Sequence, residues 1–501
     1  MFEDIHLDPE LNIPLYQQLY TYMRIAILTA KVKGGMKLPA TRALADDLKI
    51  SRNTTLTAYQ KLLAEGYLES VQSSGTFVAR VLPEILLAAP TNSEINNKEE
   101  KDKAYQPRIS NIAQSLLAMP KMGPQLSNSN RGMYRPFLVG VPALEEFPFG
   151  IWTRLTVRQA RHMPIGDFNY QKASGYAPLR EAIASHISAT RRVHCTPDQI
   201  VIVPGSQGAL DLAVRVLVNV GDPVWMEDPG YLGGRGALLG AGARIVPVPV
   251  DEEGLLVEVG IARESQARLV YLTPSHQFPL GVTMSLTRRK ALLEWAERAD
   301  AYILEDDYDS EYRFTGRPLP ALQGLDNNGR VIYIGTFSKV LFPACRIGYL
   351  VVPPQLINAF LTVRVQMGVH SPILEQAVLA DFMAEGHFAR HVRRMRYLYS
   401  ERRNVFLEAA RQLPLEIQSP ETGTHCVGWL PDGWDDLDLA RYAAAHDIEL
   451  WPVSLFSIEP SPRKGVILGY GAYRTEILID AVQRLGAILR QYDPNARPES
   501  V

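Results

Sequence analysis

Gly335-Thr336-Phe337-Ser338-Lys339-Val340-Leu341-Phe342-Pro343-Ala344-Cys345-Arg346-Ile347-Gly348 sets one lysine behind a pair of hydroxyls and seven residues ahead of an arginine. That order suits an aldehyde held as a Schiff base beside a phosphate. Lys339 supplies the amine, and Thr336, Ser338 and Arg346 donate to the phosphate oxygens. A lone lysine is ordinarily a surface charge, so the reading depends on what the rest of the chain adds.

Three other segments add to it. In Val203-Pro204-Gly205-Ser206-Gln207-Gly208 a strand turns through glycine into a helix start, where Ser206, Gln207 and free backbone N–H groups favour a phosphate. Tyr231, in Glu227-Asp228-Pro229-Gly230-Tyr231, can stack on an aromatic ring. Asp306 and Tyr308 follow the apolar run 302–305, at the strand end where α/β sheets place ligands. A carboxylate there keeps a pyridine nitrogen protonated and makes the ring an electron sink; Tyr308 can bond its phenolic oxygen.

The chain has 501 residues, 46% hydrophobic and 21% charged, enough for two or three domains with a large core. It has no apolar run of about 18 residues and no basic start ahead of an apolar stretch, so neither a membrane span nor a signal peptide is expected. Cys195, Cys345 and Cys426 lie far apart and form no metal spacing, and the expectation is a reduced, cytoplasmic protein without a metal. The net charge of -2 is uninformative, but residues 31–61 hold seven basic side chains against two acidic ones, a local +5 that attracts phosphate.

That basic stretch falls in a distinct N-terminal pattern. Leu15, Leu19, Met23 and Ile27 recur every four residues and predict a helix over 14–30, ended by Gly34-Gly35. Thr41 is expected to cap a short second helix, and Ser51 a third over 52–65; strands over 67–71 and 76–80 follow, joined at Gln72-Ser73-Ser74-Gly75. This is the order of a winged helix-turn-helix, and we place it at residues 1–80. Residues 81–107 are polar and charge-mixed and read as a flexible linker. Residues 108–501 alternate short apolar strands with helices, the pattern of an α/β fold with a mostly parallel, doubly wound sheet.

Ser51 at an N-cap leaves Arg52, Asn53 and Thr54 on the first turn of the third helix, where such a helix presents side chains to base edges. Arg42 is placed for backbone phosphate. With Leu38-Pro39-Ala40-Thr41-Arg42, Leu63-Ala64-Glu65-Gly66-Tyr67-Leu68 and Ser74-Gly75-Thr76-Phe77-Val78, residues 12–80 resemble the GntR family of bacterial repressors. The resemblance implies double-stranded operator DNA as partner, touched by Arg42, Ser51, Arg52, Asn53, Thr54 and the wing from Gln72 to Gly75.

Residues 108–495 resemble the fold-type I, pyridoxal-phosphate-dependent aminotransferases. Gly175-Tyr176-Ala177-Pro178-Leu179-Arg180 and Thr273-Pro274-Ser275-His276-Gln277-Phe278-Pro279-Leu280-Gly281 carry the likeness beside the segments above. It implies pyridoxal 5'-phosphate as cofactor, a smaller C-terminal α/β domain, and a head-to-tail homodimer in which Tyr170 reaches the partner's phosphate. The two halves together, with Glu305-Asp306-Asp307-Tyr308-Asp309-Ser310-Glu311-Tyr312, resemble the MocR/GabR subfamily of regulators. There the body is a sensor: an amine or amino-acid effector displaces the lysine and changes how the dimer engages DNA.

Two departures bear on the effector. Ile467 stands where aminotransferases carry an arginine for the substrate carboxylate, with Arg463, Lys464 and Arg474 as possible substitutes. Gly233 stands where a GABA-responsive member has a ligand-binding arginine, which argues against GABA and leaves another amine or amino acid, or pyridoxal phosphate itself, as effector. The expectation is a pyridoxal-phosphate-dependent regulator with a displaceable Lys339; the alternatives are a working aminotransferase with a DNA-binding appendage and a coenzyme-free regulator. The likeness puts His276 near the pocket, in a structural or a functional role.

Overall fold

The computed structural model describes residues 5, 7–9, 11, 13–71, 74–82, 108–120, 135–170, 172–314, 320–368 and 371–492. The chain divides into two compact units, Met1–Arg108 and Ile109–Val501. Gln72 and all but the first two positions of the expected linker lie outside the described residues.

In the N-terminal unit, α1 (Leu15–Leu28) buries Leu19, Met23 and Ile27 against α3 (Arg52–Ala64) and its Ala58 and Leu62. The short α2 (Thr41–Asp47) adds Leu44. Thr41 is not the cap expected of it. Ala40, following Pro39, is extended, and the helix begins at Thr41 itself, whose helical backbone cannot cap. Ser51 does cap, its hydroxyl accepting from the Asn53 N–H at 3.2 Å. The Tyr59 hydroxyl donates to the Pro39 carbonyl at 2.9 Å and ties α3 to the approach to α2. Strands β1 (Leu68–Val71) and β2 (Gly75–Val78) pair antiparallel, with Val71 opposite Gly75.

The second unit is built on an eight-stranded sheet of β3 (Ile200–Val203), β4 (Pro223–Asp228), β5 (Arg244–Asp251), β6 (Gly254–Leu255), β7 (Leu269–Leu272), β8 (Tyr302–Asp307), β9 (Val331–Thr336) and β10 (Gly348–Val351). Their order is β3-β10-β9-β8-β7-β4-β5-β6. β4, β5, β7, β8 and β9 run parallel, while β10 is antiparallel to both its neighbours. β3 shows why the sheet must be covered on both faces. Ile200 and Ile202 join one core with Leu179 and Phe382, and Val201 and Val203 join another with Leu210 and Phe360.

β3, β4, β7, β8 and β9 all end at the same edge, and the stretch 337–347 is the turn by which β9 reverses into β10. A smaller antiparallel sheet follows, ordered β11 (Glu416–Ile417), β12 (His425–Trp429), β14 (Gly465–Gly469), β13 (Trp451–Pro452). Helices His387–Ala410 and Thr475–Gln491 pack on it through Phe406, Val482 and Leu485 against Val466 and Leu468.

Candidate functional site

Ser206, Gln207, Tyr231, Asp306, Tyr308, Thr336, Ser338, Lys339 and Arg346 meet at the wall of one cavity of about 280 Å³. They come together because each lies at or beyond the carboxyl end of a strand of the large sheet, where side chains and helix starts converge on one crevice. Tyr170 is not among them. It follows the short helix Ile165–Phe168 and is fully exposed in the single chain.

The Lys339 Nζ donates to the Gly140 carbonyl at 2.7 Å. Burial pushes its pKa below the ordinary lysine value, against the opposing pull of Asp309 and Asp306. Asp306, the last residue but one of β8, is buried and accepts from the Tyr271 hydroxyl at 2.9 Å. Its Oδ1 has no partner among the described residues. Burial raises its carboxyl to about 7, with the Tyr271 hydrogen bond working the other way. Glu227, also pushed to about 7 by burial, accepts from the backbone and hydroxyl of Thr273.

Ser206 is the second residue of the helix Gly205–Leu217, whose first N–H groups lack intrahelical partners. A Cβ on Gly205 would sit 3.8 Å from the Arg346 guanidinium and 3.9 Å from Ser338 Oγ, so glycine keeps open the space between that helix end and those two side chains. The Arg346 side chain makes no hydrogen bond among the described residues. Together these groups can cradle an anion.

The Tyr308 hydroxyl lies 3.0 Å from His276 Nδ1, which in turn is 2.8 Å from Asp309 Oδ2. The acidic-tyrosine run 305–312 thus separates by direction. Asp306 and Tyr308 face the cavity and Asp309 holds His276. Glu305 accepts from the Leu322 and Gln323 N–H groups, and Asp307 takes Arg191 and the Tyr333 hydroxyl.

Tyr271, Thr424, His425 and Trp451 also line the cavity and were not foreseen. Tyr271 lies inside an apolar strand run, and the other three come from the C-terminal sheet without a local motif. That end of the cavity is apolar, formed by Val139, Phe278 and Trp451, with Ile467 buried behind them in β14. None of the possible substitutes for the missing arginine lines it. Arg463 pairs with Glu416 at 2.6 Å and lies over the Trp429 ring, Lys464 donates to Ser454 at 2.9 Å, and Arg474 is exposed at a helix start. Gly233 is enclosed: a Cβ there would come 2.5 Å from Tyr231 Cζ and 2.6 Å from Gln207 Oε1.

On the N-terminal unit, Ser51, Arg52 and Asn53 are exposed at the start of α3 with Thr54 half-buried beside them. Arg42 on α2 and Gly75 at the start of β2 are also exposed. This is a first turn with side chains free to meet a groove.

The family described as "Bacterial regulatory proteins, gntR family" matches residues 15–78, and "Aminotransferase class I and II" matches residues 153–457. The chain is 41% identical, over 96% of its length and 94% of the relative's, to a probable rhizopine catabolism regulatory protein, MocR, of Rhizobium meliloti. It is 30% identical to the pyridoxine biosynthesis transcriptional regulator PdxR of Corynebacterium glutamicum, covering 95% and 96%. Among solved structures it resembles the kynurenine aminotransferase of Pyrococcus horikoshii, with TM-score 0.67 and 28% identity, over 79% of this chain and 99% of that one. LysN, an α-aminoadipate aminotransferase of Thermus thermophilus, gives 0.66 and 28% over 80% and 98%.

Proposed function

The chain belongs to the MocR-type regulators, which join a GntR helix-turn-helix head to an aminotransferase class I and II body, and on that premise we propose that pyridoxal 5'-phosphate at Lys339 lets this DNA-binding regulator sense a small amine or amino acid.

The residues fit the coenzyme. The unpartnered Oδ1 of buried Asp306 calls for a donor, which a protonated pyridine nitrogen supplies, and that cation would hold the carboxyl ionised. When bound, the coenzyme supplies an aldehyde that exchanges primary amines and a ring that withdraws electrons. Ser206, Gln207, Thr336, Ser338 and Arg346 would hold its phosphate, and Tyr231 would stack on its ring. Tyr308, oriented by His276, would donate to its phenolic oxygen. Burial lowers the pKa of the Lys339 amine, against Asp309 and Asp306, and so favours the free amine that an aldehyde takes up.

The single observation that carries the sensor reading is the apolar end of the cavity. The amine-exchanging groups are present, while the cation that would hold an amino-acid substrate's carboxylate is missing from the described wall. Arg42, Ser51, Arg52, Asn53, Thr54 and the wing from Gln72 to Gly75 are the proposed DNA contacts. Residues 1–80, 81–107 and 108–501 are the proposed head, tether and body. The exposed Tyr170 is proposed to serve a second, head-to-tail subunit, and the cytoplasm is the proposed compartment.

Purified full-length protein should show a coenzyme absorption band, lost in Lys339→Ala, and an amine that shifts the band should alter binding to the promoter fragment. The complete set of Lys339, Asp306 and Tyr308 favours one rival, a working aminotransferase. Multiple turnovers of an amino acid with a keto acid at enzymatic rates would establish it instead.

A further inference from the structure

His425 lies in β12 at the cavity wall, 2% exposed, between the rings of His276 at 5.0 Å and Phe278 at 5.5 Å. Its hydrogen-bonding neighbour is the Pro279 backbone, and its Nε2 is buried with no partner among the described residues. An imidazole that donates from one nitrogen to a carbonyl presents the other as an acceptor. Thr424 beside it lines the same wall, and its hydroxyl makes no hydrogen bond among the described residues.

Both cations of the cavity already have a role in the coenzyme reading. Lys339 and Arg346 are the only Lys or Arg side chains among the described residues lining the cavity, and both belong to the amine-exchange and anion ends. Asp306 and Asp309 add negative charge to the same wall. A carboxylate brought toward Val139, Phe278 and Trp451 would be desolvated without a partner, whereas a hydroxyl would satisfy an acceptor now left bare.

We propose that the effector is a primary amine that carries no carboxylate and bears a hydroxyl donating to His425 Nε2. This inference rests on the coenzyme-sensor reading above. Burial and the neighbouring His276 and Lys339 keep the His425 pKa well below the ordinary histidine value, so the ring stays an uncharged acceptor rather than a clamp for an anion.

The test uses coenzyme-loaded full-length protein titrated with linear amino alcohols of two to five carbons, the matching ω-amino acids and the matching alkylamines, read by the shift of the coenzyme band and by thermal unfolding. The best amino alcohol should reach its midpoint at about 10-fold lower concentration than its alkylamine, and lower still against its amino acid. His425→Phe should erase the difference between alcohol and alkylamine. An amino acid that binds as tightly as the alcohol in the unaltered protein overturns the inference, whether or not the variant folds. An alcohol preference that survives in folded His425→Phe overturns the role of His425. If no coenzyme band exists, or no amine moves it, the reading beneath the inference fails with it.

Discussion

The Lys339 Nζ donates a 2.7 Å hydrogen bond to the carbonyl of Gly140, 199 residues away, and a Cβ on that glycine would fall 2.7 Å from the same nitrogen. Gly140 also has φ +77°, where an L side chain is strained. Gly140→Ala is therefore expected to displace the amine and to cost about 1–3 kcal/mol of stability. Absorbance of the coenzyme band per mole of protein and the melting temperature check it; wild-type values for both would contradict the close approach.

Three buried carboxyls, Glu227, Asp306 and Glu311, are raised by burial from 4.5, 3.8 and 4.5 to about 7. Each binds more protons folded than unfolded between those values, so its contribution to stability is complete below about pH 4 and is lost as pH rises through about 7. Coenzyme-free protein should lose stability from these groups over that window. Asp306→Asn should flatten the slope, and a pH series of melting temperatures for the two proteins measures it.

Arg52 is exposed on the first turn of α3. Arg52→Ala should weaken binding to the promoter by about 5- to 150-fold, the worth of one bidentate base contact at 1–3 kcal/mol, while the coenzyme band stays intact. Fluorescence anisotropy at fixed salt reads the first and absorbance the second. Ser51→Ala removes the cap on Asn53 and should destabilise the head by about 1 kcal/mol.

Arg191 and Asp307 form a buried pair at 2.8 Å, with the Tyr333 hydroxyl 2.7 Å from the same Asp307 oxygen. Asp307→Ala removes the carboxylate paired with a buried guanidinium and should cost about 3–5 kcal/mol. A denaturation midpoint equal to wild type would show that the pair contributes nothing net.

At Gly233 any side chain meets Tyr231 and Gln207. Gly233→Ala should displace Tyr231 and lower coenzyme affinity with little change in DNA binding. Equilibrium dialysis of the coenzyme would show it, and unchanged affinity would mean that the tyrosine yields freely.

How much of this was legible in the sequence depends on the length scale of each signal. Ser51 announces its cap because a hydroxyl and the N–H groups it serves are two or three residues apart. Thr41 misled for the same local reason: the extended Ala40 after Pro39 let the helix begin at Thr41 itself. The β strands of the large sheet are readable because both faces are buried, which leaves runs such as Ile200–Val203 wholly apolar.

The sequence by itself determined the two-part architecture, the winged helix-turn-helix order and the identity of Lys339, Asp306, Tyr308 and Arg346 as candidates, since these are carried by side-chain type and short spacing. Only the tertiary structure decided what faces them. His425 and Trp451 reach the cavity from a second sheet, and Arg463, Lys464 and Arg474 turn away from it, because chain crossings far apart in sequence set side-chain direction.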